Sequence, residues 1–161
     1  MSIEKVKAFF AAQGLASRVL EFEVSSATVE LAAAALSCEP CRIAKTLSFM
    51  VDGAPILIVA AGDAKVDNPR YKAKFATKAK MLTPDEAVEL IGHAVGGVCP
   101  FAVNEGVKVY LDESLKRFDT VFPACGSSNS AIELTIPELE KYAGACEWVD
   151  VCKAWREGEG V

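Results

Sequence analysis

Two apolar runs separated by a short turn dominate the first half of the sequence. They are TLSFMV at residues 46–51 and ILIVAA at residues 56–61, and the residues between them are DGAP. Short apolar runs on either side of Asp-Gly are a strong local signal for two antiparallel strands joined by a tight turn. The sequence therefore predicts a β-hairpin over residues 46–61.

The segment before the hairpin has the pattern of a helix, a strand and a second helix. Apolar residues at helical spacing after Ser2, with Gly14 as a stop, predict a helix over residues 3–13. Apolar and acidic residues alternate over residues 20–24, which predicts a half-buried strand. The alanine-rich residues 29–36 follow the capping residues SSAT and predict the second helix.

The segment after the hairpin contains a well-marked helix start and several short strand candidates. Thr83 is an N-cap followed by Pro84 and the capping-box residue Glu86, and Gly92 closes this helix. The segments VKVYLD, DTVFPA, SAIELTI and CEWVDV have strand character. ESLKRF interrupts them as a turn or short helix, and a further helix begins near Pro137.

The balance of these elements favours the α+β class. Strands outnumber helices and do not alternate strictly with them, so we expect a mixed, curled, barrel-like sheet with helices packed outside. The chain has 161 residues, 52% of them apolar, which is the size and composition of one globular domain over residues 1–161. The polar end REGEGV is expected to fray.

The sequence has the features of a cytoplasmic protein. No run approaches the roughly 18 uninterrupted apolar residues of a membrane span, and the start MSIEKVKAFF lacks the order of a signal peptide. We therefore expect no membrane contact. The six cysteines are spread along a chain that does not require covalent cross-links, so we expect reduced thiols.

The spacing of two cysteines raises the question of a metal or redox site. Cys38 and Cys41 form CEPC, which suits a dithiol or half of a zinc site. No second such pair follows, and His93 is the only histidine. A thioredoxin-like pair would open a helix, whereas this pair follows a predicted one. We expect no metal and no cofactor, and we interpret these thiols as small apolar filler.

Basic residues are concentrated in residues 65–80, KVDNPRYKAKFATKAK. The segment holds six basic residues and one acidic residue, a local charge of +5, whereas the remainder carries −10 and the whole chain −5. The overall charge argues against a general nucleic-acid or DNA-binding surface, but a compact basic patch can meet a phosphate backbone at one place. On charge alone, a solvated helix face is the simpler interpretation.

A glycine-bounded loop, GGVCPF at residues 96–101, has two possible chemical uses. Cys99 is a candidate nucleophile if His93 acts as its base. Alternatively, successive backbone N–H groups bind a carbonyl or carboxylate and Pro100 fixes the exit of the chain. The second use requires no reactive side chain, and the residues alone leave both open.

One lysine and one polar string are further candidates. Lys45 stands among apolar residues at the entry to the first hairpin strand. It either extends from the sheet edge to solvent or provides a cation for a phosphate or a developing oxyanion. The string CGSSNS at residues 125–130 either orients a ligand or completes a turn.

Five segments over most of the chain occur in an order and spacing typical of one protein family. They are CRIAKTLSFM, GDAKVD, VGGVCPF, VYLDESL and CGSSNSAIEL. Together they resemble the YbaK/EbsC family of aminoacyl-tRNA deacylases, which are related to the editing domain inserted in bacterial prolyl-tRNA synthetase. The resemblance extends over about residues 22–148.

The resemblance implies hydrolysis of the ester that joins a wrong amino acid to the 3′-terminal adenosine of tRNA. The catalytic positions that it implies are Lys45, Gly96, Gly97, Val98, Cys99 and Pro100, the last five forming the family's G-x-x-x-P loop. The substrate contacts that it implies are Phe101, Asp112, Ser127, Ser128 and Asn129. It also favours tRNA contact by the basic segment, through Lys65, Arg70, Lys72, Lys74 and Lys78.

The implied mechanism does not require an activated thiol in the protein. The loop amides polarise the aminoacyl carbonyl, and Lys45 grips the terminal phosphate or positions the ester. Water then attacks the carbonyl carbon or, where the substrate is cysteine, its own thiol does so. This agrees with the second use of the loop inferred from the residues.

Two departures from the family pattern bear on the substrate. Cys99 occupies a position where many relatives have serine, and Ala102 follows where glycine is common. Both changes are small in volume, so cysteine, alanine and proline mimics stay open. The leading hypothesis is a trans-acting hydrolase of Cys-tRNA(Pro), with prolyl-tRNA synthetase as a candidate partner. The alternative is a tRNA- or synthetase-binding module without turnover.

Overall fold

The computed structural model describes residues 2–156. Its helices are α1 (Ser2–Ala12), α2 (Val29–Leu36), α3 (Asn68–Phe75), α4 (Pro84–Glu86) and α5 (Ile136–Ala143). Its strands are β1 (Leu20–Glu21), β2 (Ile43–Val51), β3 (Ala54–Ala61), β4 (Lys65–Val66), β5 (Lys108–Asp112), β6 (Thr120–Pro123), β7 (Ser130–Ala131), β8 (Leu134–Thr135), β9 (Glu147–Val149) and β10 (Cys152–Lys153). Three 3₁₀ turns cover Ala16–Arg18, Pro40–Arg42 and Glu113–Arg117, and a π-helical turn, Ala87–Ile91, continues α4.

The predicted hairpin is confirmed and lies at the centre of the sheet. β2 and β3 pair antiparallel from Ala44 opposite Ala61 to Val51 opposite Ala54. Asp52 and Gly53 form the turn with φ of 50° and 79°. Positive φ at both central residues is the geometry that matches strand twist in a two-residue hairpin.

The main sheet has six strands in the order β8–β6–β2–β3–β5–β9 and curls into a half-barrel. β2 with β3 and β6 with β8 are antiparallel, whereas β2 with β6, β3 with β5 and β5 with β9 are parallel. Two-stranded sheets form from β1 with β7 and from β4 with β10. The α+β class and the mixed, curled sheet are confirmed.

Successive residues of the hairpin strands point to opposite faces of the sheet, and both faces are buried. Leu57 belongs to the main core cluster together with Phe10 of α1. Ile58 belongs to a second cluster together with Tyr71 of α3. Helices therefore cover the sheet on each side, and the apolar runs that predicted the hairpin are explained by this double burial.

The predicted starts of α2, α4 and α5 are confirmed by their hydrogen bonds. Thr83 and Glu86 form a complete capping box at α4, and Thr135 and Glu138 form another at α5. Thr28 caps α2 by accepting from the amide of Leu31 at 3.1 Å. Each of these side chains satisfies an amide that the first helical turn leaves unpaired.

The predicted half-buried strand over residues 20–24 is wrong in its length and in its burial. Only Leu20 and Glu21 form strand β1, and both are exposed. Leu20 is 41% exposed and Val24 62% exposed. β1 pairs with the two-residue β7 outside the main sheet, so neither face of the segment has a core to cover it.

The remaining predicted segments differ from the structure only in detail. The predicted strand SAIELTI is divided into β7 and β8, and ESLKRF contains a 3₁₀ turn. The basic segment contains β4 and α3. Within residues 2–156, no helix is both long and apolar enough to cross a membrane. Of the end that was expected to fray, only Arg156 falls within the described residues.

Candidate active site

A cavity of about 200 Å³ lies between α2, β2 and the loops that follow α4 and β6. Its lining includes Lys45 and Thr46 of β2, Gly96 and Val98 of the glycine loop, and Ser130 of β7. Residues that are more than fifty positions apart in the sequence therefore meet at one site. The structure brings the predicted lysine and the predicted loop together.

Lys45 is partly buried at the start of β2. Its ammonium group donates a hydrogen bond to the carbonyl oxygen of Ala64, in the connection after β3. Burial is the main cause that lowers the pKa of Lys45 below its ordinary value of 10.5, and nearby Lys65 adds to this effect. A cation held away from water by a single carbonyl can exchange that acceptor for a ligand oxygen.

The glycine loop is shaped by two different requirements for glycine. Gly96 has φ of 93°, a conformation that side chains disfavour. A Cβ on Gly97 would lie 2.7 Å from the amide nitrogen of Ser127 and 2.8 Å from the carbonyl carbon of Gly126. The first glycine is required by backbone conformation, and the second by close packing of the loop on the neighbouring turn.

Two amides of this loop are available to a ligand. The amide of Gly97 donates to the carbonyl of Ala94 at 3.0 Å. Within residues 2–156, the amides of Gly96 and Val98 have no acceptor. Both residues line the cavity. Unpaired amides beside a cavity are donors for a carbonyl or carboxylate oxygen.

A third polar group on the cavity wall also lacks a partner. The hydroxyl oxygen of Thr46 is buried and makes no hydrogen bond within the part of the chain that the structure describes. Sequence reasoning missed Thr46, although Thr46 and Ser48 stand two residues apart on an apolar strand and so share one face. Both line the cavity.

Cys99 lies in the main core and does not line the cavity. Its sulfur is 3.5 Å from Nε2 of His93, and that nitrogen is 2.8 Å from the carbonyl oxygen of Phe101. Because a carbonyl only accepts, Nε2 carries the proton, whereas Nδ1 lies 2.8 Å from the hydroxyl oxygen of Ser2, which itself donates to the carbonyl of Gly92 at 3.0 Å. The nitrogen that faces the thiol therefore already carries a proton and cannot take one from it.

Burial reinforces this inert state of the Cys99–His93 pair. Desolvation raises the pKa of Cys99 to about 12 and lowers the pKa of His93 below its ordinary value. A thiol that stays protonated at neutral pH is not a nucleophile. The geometry favours the backbone interpretation of the loop over the nucleophile interpretation.

The residues of the CGSSNS string hold a neighbouring segment in place. Ser127 donates to the side-chain oxygen of Asn129 at 2.9 Å, and Asn129 donates to the carbonyl of Phe22 at 2.9 Å. The carbonyl of Ser128 accepts from the amide of Ser26 at 2.6 Å. Ser127, Ser128 and Asn129 do not line the cavity, and their expected substrate contacts stay predictions.

Two further residues expected to contact substrate lie away from the cavity. Phe101 is fully buried, with its ring centroid 4.8 Å from that of Phe10. Asp112 is also fully buried and accepts from the amides of Ser114 at 2.9 Å and Val151 at 3.0 Å. Both side chains support the fold, and Pro100 is likewise buried outside the cavity lining.

The other five cysteines are free thiols that differ in their burial. Burial raises the pKa values of Cys38 and Cys41, which disfavours the thiolate. Among residues 2–156, no three potential ligands of the His, Cys, Asp or Glu type gather to hold a metal ion. Cys125 and Cys152 are fully buried, as expected for apolar filler.

The family of the chain follows from its sequence. The model of the aminoacyl-tRNA editing domain matches residues 23–142, a span that contains every residue lining the cavity. The chain belongs to the aminoacyl-tRNA editing domain family. The resemblance to YbaK-like editing proteins is thereby confirmed.

This editing domain is similar to a protein of its own length and to part of longer ones. It is 54% identical over 156 residues to the uncharacterized protein YwhH of Bacillus subtilis (strain 168), covering 96% of this chain and 99% of YwhH. It is 29% identical over 125 residues to the proline–tRNA ligase of Geobacillus sp. (strain WCH70), covering 77% of this chain and 22% of the ligase. The chain thus spans about a fifth of that ligase.

A solved structure shares the fold of this editing domain. The match is to the crystal structure of a proposed trans-editing enzyme for prolyl-tRNA synthetase, at a TM-score of 0.84 and 29% identity. It covers 93% of this chain and 96% of the other. The arrangement of strands and helices described above is therefore shared with that structure.

Proposed function

We propose that this editing domain hydrolyses the ester between a mischarged amino acid and the 3′-terminal adenosine of tRNA, with Cys-tRNA(Pro) as its main substrate. The observation that carries the proposal is the meeting of Lys45 with the unpaired amides of Gly96 and Val98 at one cavity. A cation and backbone donors around one space suit an ester whose carbonyl oxygen gains negative charge in the transition state.

The two amides hold the carbonyl oxygen of the ester in this proposal. Water adds to the carbonyl carbon, the bond from that carbon to the ribose oxygen breaks, and the ribose oxygen takes up a proton. For a cysteinyl ester, the substrate's own thiol can attack in place of water. A carbon–sulfur bond then forms, the bond to the ribose oxygen breaks, that oxygen takes up the thiol proton, and water opens the resulting thiolactone to free cysteine. Lys45 offsets negative charge on the ester or the adjacent phosphate after leaving the carbonyl of Ala64.

The size and lining of the cavity support a small amino acid. About 200 Å³ is below the range of about 300–1,000 Å³ that is usual for sites that enclose a drug-sized ligand. Ala44 and Ala131 contribute apolar wall, and Thr46 contributes an unpaired hydroxyl. The S–H group of a cysteine side chain can form a weak hydrogen bond with that hydroxyl, whereas the methyl group of alanine cannot.

The relation to proline–tRNA ligases supports action in trans. This domain matches 22% of the Geobacillus ligase, whereas it matches 99% of YwhH, so the domain occurs in YwhH without the rest of a ligase. We therefore propose prolyl-tRNA synthetase as the enzyme whose errors the protein corrects. Direct contact with the synthetase is part of the proposal.

The experiment compares the release of amino acid from Cys-tRNA(Pro), Ala-tRNA(Pro) and Pro-tRNA(Pro) by the purified protein. We expect fast release of cysteine, slower release of alanine and no release of proline above the rate without protein. Addition of prolyl-tRNA synthetase tests whether the contact accelerates the reaction. Equal, protein-independent release from all three would contradict the proposal.

A further inference from the structure

Four of the six basic residues of positions 65–80 form two groups that differ in their partners, and Lys65 and Lys80 belong to neither group. Arg70 contacts Asp67 at 3.2 Å and Asp150 at 3.0 Å, and Lys74 contacts Glu147. The charges of these two residues are offset by neighbouring carboxylates. They hold α3 against β9 and the residue that follows it, and they contribute little net attraction for a distant anion.

Lys72 and Lys78 form the second group. Within residues 2–156, neither has a carboxylate partner, and both are exposed. They line one surface groove together with Asn68, Pro69 and Ala79. Two uncompensated ammonium groups on the walls of one groove attract phosphate groups.

Residues 78–82 connect this groove to the cavity. Lys78 lines the groove, and Met81 lines the cavity. The segment is fixed along β2 because the amide of Met50 donates to the carbonyl of Lys80 at 2.8 Å. Three residue steps span at most about 10 Å, so the groove and the cavity mouth are close neighbours on the surface.

The cavity mouth has two large apolar side chains that face water. Met81 is 59% exposed and Val95 is 64% exposed, and both line the cavity. Apolar side chains that stay exposed at the mouth of a cavity offer a surface for the flat face of a base.

We propose that the Lys72–Lys78 groove binds phosphates of the single-stranded 3′ end of tRNA, which follows residues 78–82 to the cavity and places its terminal base against Met81 and Val95. The inference rests on the proposed function, because the aminoacyl ester at that end enters the cavity. The surrounding negative charge restricts RNA to this route, since the chain outside residues 65–80 carries −10.

The first test measures binding of uncharged RNA, so that it does not depend on hydrolysis. The probe is a fluorescent RNA minihelix with a single-stranded CCA end, titrated at several salt concentrations. Lys72→Glu/Lys78→Glu is compared with Lys108→Glu/Lys141→Glu, which changes two exposed lysines elsewhere and alters the net charge equally. Unchanged urea unfolding of both variants confirms that they fold.

We expect the groove variant to bind at least tenfold more weakly and the control variant no more than about twofold more weakly. The logarithm of the association constant falls as the logarithm of the salt concentration rises. The magnitude of this slope should be smaller by about 1.4 for the groove variant, because each of the two lost single-strand phosphate contacts contributes about 0.7. Equal weakening by both variants would overturn the proposal, because overall charge would then explain binding.

A second test separates the phosphate contacts from the base contact. Cysteinyl-adenosine keeps the base but lacks the phosphates of the chain. Lys72→Glu/Lys78→Glu should raise KM for Cys-tRNA(Pro) with unchanged kcat, and should leave hydrolysis of cysteinyl-adenosine as in the wild type. Met81→Ala should raise KM for both substrates, by about fivefold for the loss of part of a stacking surface.

The outcomes distinguish this inference from the proposed function. Hydrolysis by the wild type together with unaffected groove variants would overturn the RNA path and leave the deacylase intact. Weaker RNA binding by the groove variant supports the path even if the wild type releases no amino acid, a result that would overturn the proposed function alone.

Discussion

Adjacent residues of the glycine loop serve different purposes. Gly96 and Val98 line the cavity and have amides without an acceptor among residues 2–156, whereas Cys99 lies in the core. In the proposed mechanism the chemistry of the loop therefore depends on its backbone, because the thiol, its most reactive side-chain type, lies in the core. Substitutions at neighbouring positions should separate these roles.

Cys99→Ser should keep the deacylase activity. The thiol is buried and protonated, and a serine hydroxyl of similar size can donate to the carbonyl of Phe101, which is 3.8 Å from the sulfur. We expect kcat/KM within about threefold of the wild type and a loss of about 1 kcal/mol in the free energy of unfolding. A fall in kcat of a thousandfold or more would show that the thiol is a nucleophile.

Gly97→Ala should disrupt the loop through a steric clash. The new methyl group would lie 2.7–2.8 Å from backbone atoms of Gly126 and Ser127, which cannot move independently. We expect a loss of about 1–3 kcal/mol in the free energy of unfolding and a large loss of activity. The matched variant is Gly106→Ala, where φ is 91° and nothing lies within 4 Å. It should lose only about 1 kcal/mol and keep activity; similar behaviour of both variants would argue against the clash.

At the scale of elements, local signals predicted most helices and the central hairpin. Thr83 with Glu86 and Asp52 with Gly53 specify their structures through contacts within four residues. The short length and the exposure of β1 were not predictable, because they depend on its pairing with β7 outside the main sheet. The cavity is formed by contacts between distant segments. The sequence therefore predicted that Lys45 and the loop act together only through the family resemblance.

His93 links two elements and should make stability depend on pH. It joins Ser2 of α1 to Phe101, and burial lowers its pKa below the ordinary 6.5, with a further lowering by Lys5. The unfolded chain therefore binds a proton at a higher pH than the folded chain does. Stability should be greatest above about pH 6.5, fall as the pH drops towards the lowered folded-state pKa, and level off below it.

Urea unfolding between pH 8 and pH 5 checks this dependence. The comparison variant is His93→Gln, which cannot gain a proton in this range and shares all other titrating groups. The wild type should lose more stability than the variant below pH 6.5. Parallel profiles for the two proteins would show that His93 does not control the change.

At the scale of the whole molecule, the distribution of charge supports the proposed approach of RNA at one surface. The chain carries −5 overall, with +5 confined to residues 65–80. The sequence predicted this basic segment, but could not separate the ion-paired Arg70 and Lys74 from Lys72 and Lys78, because their carboxylate partners include residues some seventy positions away. An acidic protein with one basic route can take up the acceptor end of a tRNA and release it again.

The most direct measurement is the rate of cysteine release from Cys-tRNA(Pro) by the wild type and by Lys45→Ala. Lys108→Ala, which changes an exposed lysine of β5, is the control. We predict that Lys45→Ala lowers kcat/KM at least a hundredfold with an unfolding midpoint close to that of the wild type, whereas Lys108→Ala changes neither. Near-full activity of Lys45→Ala would contradict the assignment of the cavity as the site of ester hydrolysis.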